Sequence, residues 1–393
     1  MASDPVASTW VRLLGACSLG GSGHLNPLLP FLTAPARPGD EVLVAGPPAL
    51  ADMVGAAGLG FWPGGEPPEE VIAPIRDQLA LAPRAVASEL GNRELFGRLA
   101  TVAMLPEMRR CFDQWRPDLV LRDPCEYASA VLARRTGTAV AQVAISFADV
   151  EAGSIRTAAP ALEDHEPGLV DALFAAPYLT RFPASLDPSA FPRTVRYREP
   201  GPAERTALPD WWAGSDSPLL YVTLGTVLGH MSFALHVFGS LLAAVGDLDA
   251  RVLLTTGRKF DVASLGALPP HVHVEPWVDQ ADVLGSSALV VCHGGSGTVL
   301  GALGAGVPLV VVPSFADQFE NAWRLDRVGA GRVVAAASPT DRRPPSIADA
   351  PRIADAVREV LGDAAFAARA RAIGAEMHAA PLADDVLASF RVA

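Results

Sequence analysis

Short apolar runs, each closed by turn residues and separated by stretches long enough for a helix, recur along the whole chain. In the first half they are VRLLGAC from Val11, EVLVAG from Glu41, LVLRD from Leu119 and AVAQVAI from Ala139. In the second half they are LLYVTLGT from Leu219, RVLLTTG from Arg251, HVHVEPW from His271, ALVVCHG from Ala288, LVVVP from Leu309 and GRVVA from Gly331. Runs with so little polar alternation suit strands covered on both faces, and strands alternating with helices suit parallel sheets. A chain of 393 residues is too long for one ordinary core. The pattern therefore predicts two doubly wound, Rossmann-like α/β domains whose parallel sheets face each other across a cleft. The expected divisions are a first domain over 1–205, a linker over 206–217, a second domain over 218–375, and a final helix over 376–393 packing back toward the first domain.

Ligands of open α/β sheets bind at the carboxyl ends of the strands, and there the chain repeats itself. GGSG occurs at Gly20–Gly23, followed by His24, and again at Gly294–Gly297, preceded by His293. Each copy follows a strand and opens a helical segment. Glycines let backbone N–H groups approach a ligand, and a helix N-terminus favours an anion.

Composition narrows the partners. The formal net charge of −12 disfavours nucleic acid and anionic membranes, which reward a basic surface. Cys17, Cys111, Cys125 and Cys292 form no CxxC pair, which suits a reducing cytoplasm rather than a zinc site or disulfide framework. No apolar run is long enough to span a bilayer. GSGHLN puts Asn26 at the third glycine position of a dinucleotide fingerprint, and EVLVAGPP ends without an acidic residue, so an NAD enzyme is disfavoured. The DLD at Asp247–Asp249 precedes a strand and nothing nearby completes a metal site. No essential metal or cofactor is expected.

The second loop continues into GALGAGVPLVVVPSFADQFENAWRLDRVGAGRVV, with PWVDQADVL upstream at Pro276–Leu284 and YVTLGT at Tyr221–Thr226. In order and spacing these motifs resemble the nucleotide-sugar signature of family 1 glycosyltransferases of the GT-B fold, especially bacterial enzymes that attach deoxysugars to natural products. The resemblance implies that Trp277 stacks on the nucleobase, Val278 offers its backbone to the base edge and Gln280 lies near the ribose. It further implies that Thr226, His293, Gly295, Ser296, Gly297 and Thr298 hold the diphosphate and that Asp317 and Gln318 bind sugar hydroxyls. GSGHLNPLLPF resembles the same family's N-terminal motif. By that resemblance His24 is the general base, and Asp123, at the end of LVLRD, is its acidic partner. Glu126 is the alternative if the RDPCEYA turn is offset, whereas Asp118 begins the strand and belongs at its other end.

One departure bears on the donor. Family members that use uridine diphosphate sugars often carry a glutamate eight residues after the motif histidine, where this chain has Gly301. A carboxylate that binds a 2′-hydroxyl has nothing to bind on a deoxyribose, so a dTDP-sugar is expected. The resemblance thus implies a cytoplasmic, inverting, metal-independent transferase acting on a hydroxyl of an apolar acceptor, with a homodimer left open. The alternatives are a UDP-sugar transferase, an epimerase of the same fold, or a non-catalytic accessory protein that binds nucleotide sugar. Acceptor choice is expected to lie in the loops of the first domain, in the segments Phe61–Val71, Arg84–Leu105 and Ser146–Phe182, long enough to shape an apolar pocket.

Overall fold

The computed structural model describes residues 11–18, 21–34, 39–81, 84–201, 206–225, 231, 233–314, 318–335 and 344–390. The chain forms two compact units. One comprises Met1–Arg181, Asp187–Pro200 and Pro381–Ala393, and the other comprises Phe182–Leu186 and Gly201–Ala380.

In the first unit the described strands are β1 (Arg12–Ala16), β2 (Glu41–Gly46), β3 (Gly60–Pro63), β4 (Leu119–Arg122), β5 (Ala139–Val143), β6 (Tyr178–Thr180) and β7 (Thr194–Arg196). All pair in parallel, in the order β3-β2-β1-β4-β5-β6-β7. In the second unit they are β8 (Leu219–Thr223), β9 (Arg251–Thr255), β10 (Val272–Glu275), β11 (Ser287–Cys292), β12 (Leu309–Val311) and β13 (Gly331–Val333). These are also parallel, in the order β10-β9-β8-β11-β12-β13. Every apolar run noted in the sequence contributes one of these strands. The central strands β4 and β8 are buried along their whole length, as runs without alternation require. Burying each large aliphatic side chain among them contributes roughly 1.5–3 kcal/mol.

In both sheets the winding reverses at one place, between β1 and β4 and between β8 and β11. Such switch points open a crevice at the strand ends. His24 lies just beyond β1 and Asp123 just beyond β4, while Gly225 and His293 lie just beyond β8 and β11.

Some boundaries differ from the expected ones. The stretch expected to be a linker packs onto the second unit: the Trp212 indole N–H donates to the His271 carbonyl at 2.9 Å, and Trp211 stacks on His273 at 4.3 Å. The return to the first unit comes at Pro381 rather than at residue 376. Helix Ala364–Ala379 stays with the second unit, and helix Ala383–Phe390 inserts Val386 and Leu387 into the core of the first. Nor is Ser146–Phe182 mainly loop, since it forms helices Ala148–His165 and Leu169–Ala175. Pro160 within the first of them disguises it, because proline ordinarily breaks a helix interior.

Candidate functional site

The ends of β1 and β4 bring His24 and Asp123 together. Ala16 pairs with Arg122, and the Asp123 N–H donates to the Ala16 carbonyl at 2.9 Å, which fixes the two strand ends in register. The His24 Nδ1 lies 3.3 Å from the Asp123 Oδ1. Ser18, which the sequence did not single out, completes the group. Its backbone N–H donates to the Asp123 Oδ2 at 2.6 Å, its hydroxyl reaches both carboxylate oxygens at 3.1 and 3.0 Å, and Oγ stands 3.3 Å from the His24 Nδ1. The Cys125 N–H adds a further bond to the Asp123 Oδ1 at 2.7 Å.

Asp123 is fully buried. Burial alone would raise its pKa, yet His24 and the bonds from Ser18 and Cys125 hold it below the usual carboxylate value. For His24, burial pushes the pKa down, but the charge and hydrogen bond of Asp123 outweigh it and the net shift is upward. With Nδ1 turned to Asp123 and Ser18, the tautomer that satisfies both leaves the lone pair on Nε2. Phe96 lies beside the ring, with centroids 6.4 Å apart. It belongs to Glu89–Ala100, which is wound as a π-helix. That winding is rare beyond a single turn and frequent at functional sites.

Glu126, the sequence alternative, is placed elsewhere. Its carboxylate accepts from the N–H of Ser129 at 3.1 Å and from the same residue's hydroxyl. Asp118 lies at the opposite strand end, where it accepts from the Arg12 N–H at 2.8 Å.

In the second unit a cleft of about 520 Å³ opens at the ends of β8, β9 and β10. It gathers Trp277, Val278, Gln280 and Thr298 from the residues marked by resemblance. Trp277 is 48% exposed and lines the cleft. The floor is a hydroxyl ladder: Tyr221 lies 3.3 Å from Thr255, Thr255 donates to Thr223 at 2.8 Å, and Thr223 accepts from the Gly225 N–H at 3.3 Å.

His293 stands beside this floor between two glycines. A Cβ on Gly225 would lie 2.8 Å from its ring, and one on Gly295 would lie 2.6 Å from it. Gly225 also has φ +68°, a conformation that side-chain-bearing residues rarely adopt. Gly225 is thus required both by the imidazole and by its own backbone, whereas Gly295, with φ −63°, is required by the imidazole alone. Burial lowers the His293 pKa to about 4, against a smaller upward pull from the Thr223 backbone. The ring is therefore neutral near pH 7.

Gly295 is the N-cap of helix Ser296–Gly304, which has no side-chain cap, and the positive end of the helix dipole lies at this loop. Asn321 steadies the loop, donating to the Gly294 carbonyl at 2.6 Å and to the Ser296 hydroxyl at 3.2 Å. Gln318 is buried, and its carboxamide oxygen accepts from the Ser314 N–H at 2.9 Å. Thr226 and Asp317 lie outside the described residues. The structure also places Arg258 and Lys259 in the cleft. The sequence held a signal for them, a lone lysine beside an arginine directly after a strand and Gly257.

Among the described residues no cluster of three or more His, Cys, Asp or Glu is arranged to hold a metal ion, and no helix is long and apolar enough to cross a membrane.

Two Rossmann-like units, each with a glycine loop at its switch point, define a GT-B glycosyltransferase, and known proteins place the chain more closely. The N-terminal domain description of erythromycin biosynthesis protein CIII-like proteins matches residues 34–225, and the C-terminal one matches residues 239–391. The L-demethylnoviosyl transferase of Streptomyces niveus is 33% identical over 376 residues, covering 91% of this chain and 92% of that protein. Among solved structures, the glycosyltransferase SnogD from Streptomyces nogalater has a TM-score of 0.74 at 26% identity, covering 97% of this chain and 99% of the other. Spinosyn rhamnosyltransferase SpnG complexed with thymidine diphosphate shares the fold, with a TM-score of 0.74 at 23% identity over 97% of this chain and 99% of that one. The chain belongs to the erythromycin biosynthesis protein CIII-like family, glycosyltransferases of family 1 of the deoxysugar type.

Proposed function

We propose that the protein is an inverting glycosyltransferase that moves a deoxysugar from dTDP to a hydroxyl of an apolar natural product, with His24 as general base. The observation that carries this is the His24–Asp123–Ser18 group, which holds a half-buried imidazole with Nε2 unengaged and its basicity raised. In the step itself, Nε2 takes the proton as the acceptor oxygen attacks the anomeric carbon, and the carbon–oxygen bond to the diphosphate breaks on the opposite face. Asp123 stabilises the imidazolium so formed. The diphosphate leaves with the pair of electrons, and the N–H groups of the Ser296–Gly304 helix, Thr298 and neutral His293 stabilise its growing charge.

Supplying dTDP-sugars and apolar aglycones together and following the product by mass spectrometry tests the activity. Transfer to a hydroxyl with inversion is expected, and retention of anomeric configuration would overturn the mechanism. His293→Ala is expected to weaken nucleotide binding by about tenfold or more, the scale of one hydrogen bond to a charged group. Calorimetry with dTDP reads this directly, and unchanged affinity would remove His293 from the diphosphate site.

Support for dTDP comes from Gly301, where a Cβ would approach the Gln280 Oε1 to 3.2 Å and the Leu284 Cδ1 to 3.3 Å. Glycine at this position leaves the uncharged Gln280 carboxamide beside it and no carboxylate there to bind a ribose 2′-hydroxyl. The neighbour SpnG binds thymidine diphosphate, which agrees with this. Tighter binding of dTDP than of UDP is expected by calorimetry, and Gly301→Glu should shift the preference toward UDP. Clearly tighter UDP binding to the unaltered protein would reverse the assignment.

A further inference from the structure

The cleft of the second unit contains two cations that none of the roles above uses. One face of Trp277 is covered by Arg258, whose Cζ lies 4.5 Å from the ring centroid. Arg258 follows Gly257, which turns the chain out of β9 with φ +87°, and Lys259, the only lysine of the chain, comes next. Both side chains are exposed and both line the cleft. In a protein with 43 acidic and 31 basic side chains, two adjacent cations in one cleft run against the average surface. The other groups assigned to the diphosphate are neutral, since Thr298 and the backbone N–H groups are uncharged and His293 is deprotonated near pH 7. A nucleoside diphosphate has no other formal positive charge to meet among the described lining residues.

The indole face poses the second half of the problem, because a nucleobase cannot stack where the guanidinium already lies. We propose that Arg258 changes partners during the nucleotide cycle: it covers Trp277 in the empty cleft, and on binding it yields that face to the base and moves to the diphosphate beside Lys259. This rests on the assignment of the cleft to a nucleotide sugar and adds the device by which it takes one. A guanidinium over a solvent-exposed ring is held weakly, whereas on a phosphate it makes short, charge-assisted and often bidentate bonds. The exchange is therefore favourable when the incoming ligand brings the diphosphate. A nucleoside must displace the same guanidinium and gives it no new partner. The cleft thereby favours charged nucleotide over free nucleoside, and it recovers its cover when the diphosphate departs.

Calorimetric titration of dTDP and of thymidine, into the unaltered protein and into Arg258→Ala and Lys259→Ala, separates the possibilities. Arg258→Ala is expected to weaken dTDP by about tenfold, the effect of losing a charge-assisted contact, while thymidine binds as well as before or more tightly. Lys259→Ala is expected to weaken dTDP and leave thymidine unchanged. If Arg258→Ala weakens both ligands by the same factor, the guanidinium is a fixed wall of the base site and the exchange is wrong. Unchanged dTDP affinity in that variant overturns it equally. Failure of the unaltered protein to bind dTDP or UDP would instead remove the assignment of the cleft itself. Both side chains are exposed, so neither substitution threatens folding, and an unchanged melting temperature of the ligand-free variants checks this.

Discussion

Replacing His24 with alanine is expected to lower kcat/KM by about 10²-fold to 10⁴-fold, the usual share of a positioned general base, while dTDP binding stays near that of the unaltered protein. The split follows from where the groups lie. His24 is beyond β1 in the first unit, and the residues proposed to hold the nucleotide belong to the second. Steady-state kinetics with a dTDP-sugar, set beside calorimetry with dTDP, reads both halves. Unchanged turnover would exclude His24 as the base, and an equal loss of nucleotide affinity would make the residue structural rather than chemical.

The second large effect is expected at Asp123. Its carboxylate accepts from two backbone N–H groups and the Ser18 hydroxyl, and it faces the His24 Nδ1. Asparagine offers one oxygen and two N–H donors to a site lined by donors. An orienting aspartate changed to asparagine costs about 10⁴-fold in a Ser-His-Asp triad, and a loss of about 10²-fold to 10⁴-fold is expected here. The pH profile separates this from simple damage. As the proposed base His24 must be neutral to act, and Asp123 raises its pKa above 6.5. In the unaltered enzyme kcat/KM should therefore rise with pH through an apparent pKa above that value. In Asp123→Asn that limb should move to lower pH, because burial of the imidazole then acts without the opposing charge. A limb that stays in place would mean that Asp123 does not tune His24.

The same pair links stability to pH. The folded pKa of His24 is raised, so its contribution is fully present below the unfolded value near 6.5 and is lost as pH rises through the folded value. The folded pKa of Asp123 is lowered, so its contribution is present above the unfolded value near 3.8 and is lost as pH falls through the folded value. Both are in force between about pH 4 and 6.5. The melting temperature of the unaltered protein relative to Asp123→Asn should show its greatest difference there.

Much of this is legible in the sequence. Apolar runs such as LVLRD and ALVVCHG report their burial on both faces directly, because a strand between two helical layers has no wet side to alternate with. The short strands Tyr178–Thr180 and Thr194–Arg196 were not legible. Three residues at the margin of a sheet carry no period, and their pairing is decided by the neighbour each finds, β5 for the first and β6 for the second. The π-helical winding of Glu89–Ala100 also escaped, since no residue type or period in ELGNRELFGRLA distinguishes it from an α-helix; within it Gly97 packs closely against Ala158 and Ala161 of the helix Ala148–His165.

At the site, the sequence by itself determined the two glycine loops, the side on which each histidine stands, and the presence of Asp123 and Trp277 at strand ends. These are local facts, set by residue type and by distance along the chain from a strand. Tertiary structure alone decided that Ser18 joins the His24–Asp123 pair, that Gly225 and Gly295 enclose His293, and that Arg258 lies over Trp277. Those contacts form at strand ends that parallel pairing brings together, β1 beside β4, β8 beside β11 and β9 beside β10. The two copies of GGSG thus hold their histidines in opposite states: the ring after the glycines is made more basic by a buried carboxylate, and the ring before them is kept neutral by burial.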